Sequence, residues 1–269
     1  MSVLTVPPLL SAAYATFFAA LFFATIITIK KEWRMVPPEC ARDIAVATVL
    51  IGILFYGLTF LGIKYTSPGN AAITGMMEVF FSFLFVSVLL RHERLVPSHV
   101  FGASLMVLGS LFILLPHSSG FRGGDIIILI ASVFPPLGNM AMQRARKVVS
   151  TSYIMFWRSL VGGVFLLVLS FFLEPSVSLV SLKSALPTLI LNGLFLLGLS
   201  KIFWVEALHR LPVTQTISVA SIQPLFTMLF AYLILKQDPT LFQLISFFPI
   251  AIGMVLLTKS SKQPLPNLE

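Results

Sequence analysis

Three ionisable side chains stand inside long apolar stretches of this chain: Glu78, Arg158 and Lys201. Charge at such a position is costly in a bilayer, which makes each a functional candidate by default. At about 1.5 Å per helical residue, Glu78 and Lys201 lie roughly 11 Å from the nearer ends of their stretches and Arg158 roughly 8 Å. A carboxylate at that depth can cycle protons, bind a cation or hold a substrate ammonium, or it can be tied up in an ion pair or a hydrogen bond to a neighbouring helix. Lys201 can hold an anionic substrate group, pair with Glu78, or snorkel along its stem to the interface. Arg158 is closer to an edge, so snorkelling to headgroups competes with a role in a site.

Neutral groups form a second tier. Gln223 is a polar side chain inside an apolar stretch, as are Asn139 and Asn192. The two asparagines can serve as ligands or as helix-packing glue. Tyr56, Phe203 and Trp204 can line a cavity or simply pack. Pro135-Pro136 must interrupt the hydrogen-bond ladder of a helix, and such a break either builds a site or makes a kink. Glu206 and Arg210 are four apart and can pair on one helix face.

Other chemistries have no motif. There is no GxxxxGK[ST] loop for nucleotide phosphates, no HExxH and no Gly-x-Ser-x-Gly elbow. His92, His99, His117 and His209 show no metal-ligand spacing, so neither a metal nor another cofactor is expected. The single cysteine, Cys40, excludes an internal disulfide. A catalytic residue is not assignable, and no enzymatic activity is expected.

The elements that must position these residues follow from composition. Of 269 residues, 57% are hydrophobic and 10% charged, with a mean hydropathy of +0.98. Soluble domains carry about 25% charged residues. A spanning helix needs about 20 apolar residues, and nine such stretches can be drawn, at 9–29, 44–63, 71–90, 98–116, 126–143, 153–173, 185–208, 213–235 and 241–258. Residues 1–29 lack Lys and Arg, so they read as a span rather than a secretory signal. The expected fold class is all-α, a polytopic membrane helical bundle.

Basic residues set the orientation. Lys30, Lys31, Arg34, Arg42, Arg91, Arg94, Arg144, Arg146, Lys147, Arg210, Lys259 and Lys262 fall in one set of loops, and Lys64, Arg122, Lys183 and Lys236 in the other. The richer set is expected to face the cytoplasm, which places the C-terminus inside. The net charge of +8 is thereby explained at the membrane edge rather than on a helix face, so nucleic acid is not an expected partner.

A shift of 145 aligns Glu78–Glu93 with Gln223–Asp238, matching Phe81 to Phe226, Leu84 to Leu229, Phe85 to Phe230 and Leu90 to Leu235. Glu93 and Asp238 keep their charge, and a shift of 144 matches Gly109 to Gly253. The copies run in opposite directions across the expected membrane, as in transporters built from inverted repeats. The expected organisation is a first repeat at 1–116, a second at 122–259 and a cytoplasmic tail at 260–269. The first repeat lacks a counterpart to 126–143, so an N-terminal helix is expected to be missing.

The chain resembles the drug/metabolite transporter superfamily, and specifically its EamA-type repeat. The likeness rests on Tyr65-Thr66-Ser67-Pro68-Gly69-Asn70-Ala71-Ala72, on His92-Glu93-Arg94-Leu95, and on Gly102 through Gly109. In the second half it rests on Glu206-Ala207-Leu208-His209-Arg210-Leu211-Pro212, Gln223-Pro224-Leu225-Phe226 and Gly253. The resemblance implies ten helices in two inverted five-helix repeats and alternating access; the chain departs from it at Glu78-Val79, where the family often has Pro and only Pro224 keeps it. The expected function is secondary transport of a small polar or zwitterionic metabolite, amino-acid-like or drug-like, with proton coupling as an option. The candidate substrate or coupling residues are Glu78, Lys201, Arg158, Gln223, Tyr56, Trp204 and Asn139. Expected partners are that substrate, the bilayer of the inner (plasma) membrane, and a second copy of the chain as a candidate. The rival readings are a non-transporting membrane subunit and a membrane-embedded enzyme.

Overall fold

The computed structural model describes residues 6–89, 97–114, 123–211, 216, 223–236, 238 and 240–258. Every regular element among them is helical. In chain order these are α1 (Pro8–Lys30), α2 (Pro38–Ile63), α3 (Pro68–Gly75), α4 (Met77–Ser82), α5 (Pro97–Leu114), α6 (Gly123–Ala131), α7 (Phe134–Arg146), α8 (Thr151–Leu173), α9 (Leu179–Arg210), α10 (Gln223–Leu235) and α11 (Leu241–Thr258).

Five helices are long and apolar enough to cross a membrane: Pro8–Lys30, Pro38–Ile63, Gly123–Arg146, Thr151–Leu173 and Leu179–Arg210. Helices also occupy the other four expected stretches. One is interrupted at Met76, and the rest adjoin residues outside the described set. The basic residues Arg91, Arg94, Arg122, Lys259 and Lys262, the segment His92-Glu93-Arg94-Leu95, His117, Pro212 and the tail at 260–269 lie outside the described residues.

Local chemistry accounts for most boundaries. Proline occupies the first turn of α1, α2 and α3, where the missing N–H costs nothing. The start of α1 is closed by Glu174, whose carboxylate accepts from the backbone N–H of Leu9 at 2.7 Å and of Leu10 at 2.8 Å. Ser67, Ser150 and Ser178 cap α3, α8 and α9 through their hydroxyls. Pro135-Pro136 sits just inside α7, and the turn at 132–133 separates α6 from α7, where the sequence called for a break.

Three π-helical runs have no counterpart in the sequence reading: Thr48–Phe55 in α2, Phe83–Leu89 after α4, and Asn192–Leu199 in α9. Each extra residue per turn rotates the downstream part of the helix about its axis, so the run in α2 sets the aim of Tyr56 directly after it.

The chain divides into two compact units. One comprises 1–61 and 138–210, the other 62–137 and 211–269. Each takes segments from both expected repeats. In the first unit α1 packs along α8 and against the π-helical run of α9, while α8 also packs on that of α2. Small residues make this approach close: Ala12, Ala13, Ala15, Ala19 and Ala20 of α1 are all buried. Gly162 of α8 and Gly52 of α2 meet so tightly that a Cβ on Gly162 would lie 3.0 Å from the Gly52 carbonyl oxygen. A core of Leu9, Ala12, Ala13, Tyr56 and Leu166 fills the space between. Phe165, Val168, Phe171 and Phe172 of α8 are exposed, as a lipid-facing side requires. In the second unit α5 packs along α11, and α3 packs on α6 and α10. A Cβ on Gly253 would collide with the Gly102 carbonyl oxygen, so this crossing is backbone against backbone.

Candidate functional site

The most buried charged side chain described in the first unit is Arg158. It follows Thr151 by seven residues on α8, about 10 Å along the helix axis. Its exposure is 3%. The side chain therefore turns into the unit instead of snorkelling outward, which decides between the two readings that depth alone left open. Helix α8 places Arg158 and Gly162 four residues apart, on the side that packs against Gly52 of α2. The backbone carbonyl and Cγ of Arg158 lie against Gly52, so the stem is fixed at its root.

The guanidinium end is held loosely. One terminal nitrogen donates to the Tyr56 hydroxyl at 3.5 Å, and the other approaches the Met142 sulfur at 3.7 Å. The guanidinium carbon lies 5.6 Å from the centre of the Tyr56 ring. Nε has no hydrogen-bond partner among the described residues. No described carboxylate comes within 4.0 Å of this cation.

A second group lies one turn away along α7, three residues before Met142. Asn139 is buried, and its side-chain oxygen accepts from the Trp204 indole N–H at 3.3 Å. Lys201 Nζ lies 5.6 Å from the Trp204 ring centre, and the lysine is half-buried. Lys201 is thus engaged with an aromatic face within α9. Phe203 is exposed.

Five of the seven sequence candidates, Tyr56, Asn139, Arg158, Lys201 and Trp204, fall in this unit, in two linked contacts on α7. Glu78 belongs to the other unit, in the first turn of α4 directly after the break at Met76. It is half-buried and not an isolated carboxylate. Gln223 opens α10, also in the second unit.

Two polar clusters went unread in the sequence. In the first unit Glu206 has a nearer partner than the expected Arg210, which stands 3.9 Å away and is exposed. Its carboxylate meets Arg146 at 2.8 Å and accepts from the Thr151 hydroxyl at 2.7 Å. These residues border a cavity of about 410 Å³ shared with Lys30, Ser150 and Ile202. The i,i+4 rule names the pair available on one helix; the tertiary fold supplied the better one.

In the second unit Asp125 is fully buried. It accepts from the Thr66 hydroxyl and, at 3.1 Å, from the Asn70 amide. The Gln243 amide donates onward to the Asn70 carbonyl oxygen at 2.8 Å and to the Ser67 hydroxyl at 3.3 Å. Pro68-Gly69-Asn70 and Gly123-Gly124-Asp125 form the first turns of α3 and α6, with Ser67 capping α3; what spacing did not reveal is that these two helix starts meet. The fact that Thr66 and Asn70 sit in the family-like motif was the available signal.

Comparison with known proteins places the chain. The profile of the EamA-like transporter family matches residues 1–115 and 122–259. The chain is 22% identical over 260 residues to the uncharacterized transporter YoaV of Bacillus subtilis strain 168, covering 94% of this chain and 88% of that one. It is 24% identical over 241 residues to the uncharacterized transporter YyaM of the same organism, covering 84% and 76%. A solved crystal structure shares the fold, with a TM-score of 0.69 at 18% identity over 94% of this chain and 89% of that one. Multiple apolar spanning helices and a profile match along nearly all its length make this chain a multi-pass membrane protein of the EamA-like transporter family.

Proposed function

We propose that the protein is a secondary transporter that moves a small polar or zwitterionic metabolite by alternating access, with Glu78 as the coupling carboxylate. The observation that carries this reading is Arg158, a cation at 3% exposure inside an apolar helix, with only a phenol and a thioether at its end among the described residues. A protein that only needed to span a bilayer gains nothing from such a residue, since buried charge without full pairing is destabilising. Segments of both sequence repeats supply this cluster: Tyr56 comes from the first, and Asn139, Met142, Arg158, Lys201 and Trp204 from the second. That is where inverted-repeat transporters hold substrate. The excess of Lys and Arg in one set of loops supports a cytoplasmic C-terminus, and the reading takes the membrane to be the inner (plasma) membrane.

The test is reconstitution of the purified chain in liposomes, with uptake of a labelled amino-acid and metabolite panel measured with and without a pH gradient. Gradient-driven uptake that Glu78→Gln abolishes, while the variant still inserts, is the expected result. Full gradient-driven uptake in Glu78→Gln would remove the coupling role, and no uptake of any panel member would favour a non-transporting subunit.

A further inference from the structure

We propose that Arg158 and Tyr56 form a binding site for the carboxylate of a small substrate that carries a single carboxylate group, as an amino acid or a monocarboxylic acid does; this rests on the transporter reading above and names its substrate class. The guanidinium offers five donors in a planar fork that matches a carboxylate in bidentate fashion. Two of those donors make contacts of 3.5 and 3.7 Å, to a phenol oxygen and a sulfur, and Nε makes none among the described residues. Neutral partners at those lengths offset little of the cost of burying the cation. Tyr56 contributes a hydroxyl beside the fork, and its ring flanks the guanidinium.

Charge stoichiometry favours a carboxylate over a phosphate ester. A phosphomonoester carries nearly two negative charges near neutral pH, and Arg158 alone neutralises one. Lys201 lies over Trp204, and the Arg146 guanidinium is committed to Glu206. The groups around the fork are large and weakly polar, with Met142 at its end and the Asn139–Trp204 contact one turn along α7. They suit an acid with an apolar or aromatic remainder. Arg158 is 3% exposed and Tyr56 8%, so both groups are shielded from water in this structure.

The test is thermal unfolding of the full chain in detergent, followed by tryptophan fluorescence, with lactate, leucine, phenylalanine and benzoate, each against its amide, and with phenyl phosphate. At least one acid should raise the unfolding temperature of the wild type while its amide does not. Arg158→Lys keeps the charge but loses the fork and should weaken the apparent affinity roughly tenfold or more; Arg158→Met should lose the response entirely while unfolding no lower than the wild type without ligand. Equal responses to acids and amides, no response to any acid, a response to phenyl phosphate alone, or an acid response that survives in Arg158→Met would each overturn the assignment. Liposome uptake is scored separately. Acid-specific binding without uptake removes the transporter reading and leaves this site standing, whereas uptake of amides that survives Arg158→Met leaves a transporter and removes the site.

Discussion

Among the described residues each unit encloses one charged group, and the two are treated in opposite ways. Asp125 in the second unit is fully enclosed and meets Thr66 and Asn70, with Gln243 and Ser67 completing the network. Arg158 in the first unit is nearly as enclosed but, among the described residues, meets only a distant phenol and a thioether. Burial alone therefore does not mark a site. A carboxylate satisfied by neighbouring donors fixes the approach of α3, α6 and α11, whereas an under-partnered cation keeps capacity for something that is not part of the chain.

That contrast predicts substitutions of opposite sign. Asp125→Ala strips acceptors from the Thr66 hydroxyl and the Asn70 amide, each costing about 1–3 kcal/mol when left buried and unpaired, so a loss of roughly 3 kcal/mol is expected. Thermal unfolding in detergent measures it, and an unfolding temperature equal to the wild type would show that the network is dispensable. Gly162→Val pushes a side chain into the Gly52 backbone and should cost about 2 kcal/mol by overpacking. It should also disturb Arg158 on the same face, so the same variant tests whether the close crossing positions the cation: normal acid binding in a folded Gly162→Val would separate the two. Arg158→Met replaces an under-paired buried charge with an apolar side chain of similar length. Its stability should equal that of the wild type or rise, as it often does when buried charges are exchanged for hydrophobic groups. A fall as large as that of Asp125→Ala would make the two charges alike and erase the comparison. The smallest effect belongs to Arg144→Ala, which removes a half-exposed pair with Asp43 at 2.7 Å and should cost at most about 1 kcal/mol, less at high salt.

The two clusters also differ in how they were legible. Arg158, Tyr56, Asn139, Lys201 and Trp204 were visible as polar or aromatic residues inside apolar stretches, because a bilayer makes any such residue conspicuous. Asp125 was not, because it stands at the start of its stretch beside Gly123-Gly124, where an acidic residue is ordinary. Glu206 was visible but assigned to Arg210, the partner that helical spacing offers, and not to Arg146, sixty positions away in sequence.

The sequence by itself determined the all-helical membrane class, the approximate place of the spans and a break beside Pro135-Pro136, which the structure places at 132–133. These follow from apolar run length and from proline's missing donor, both properties of adjacent residues. Only the tertiary structure decided that Arg158 turns inward, that π-helical runs interrupt α2 and α9, and that each compact unit takes segments from both halves of the chain. Those outcomes depend on which glycines and alanines of distant helices come into register, as at Gly52 and Gly162. Apolar periodicity cannot encode that register, because in a bilayer a helix face toward lipid and a helix face toward protein are made of the same residues.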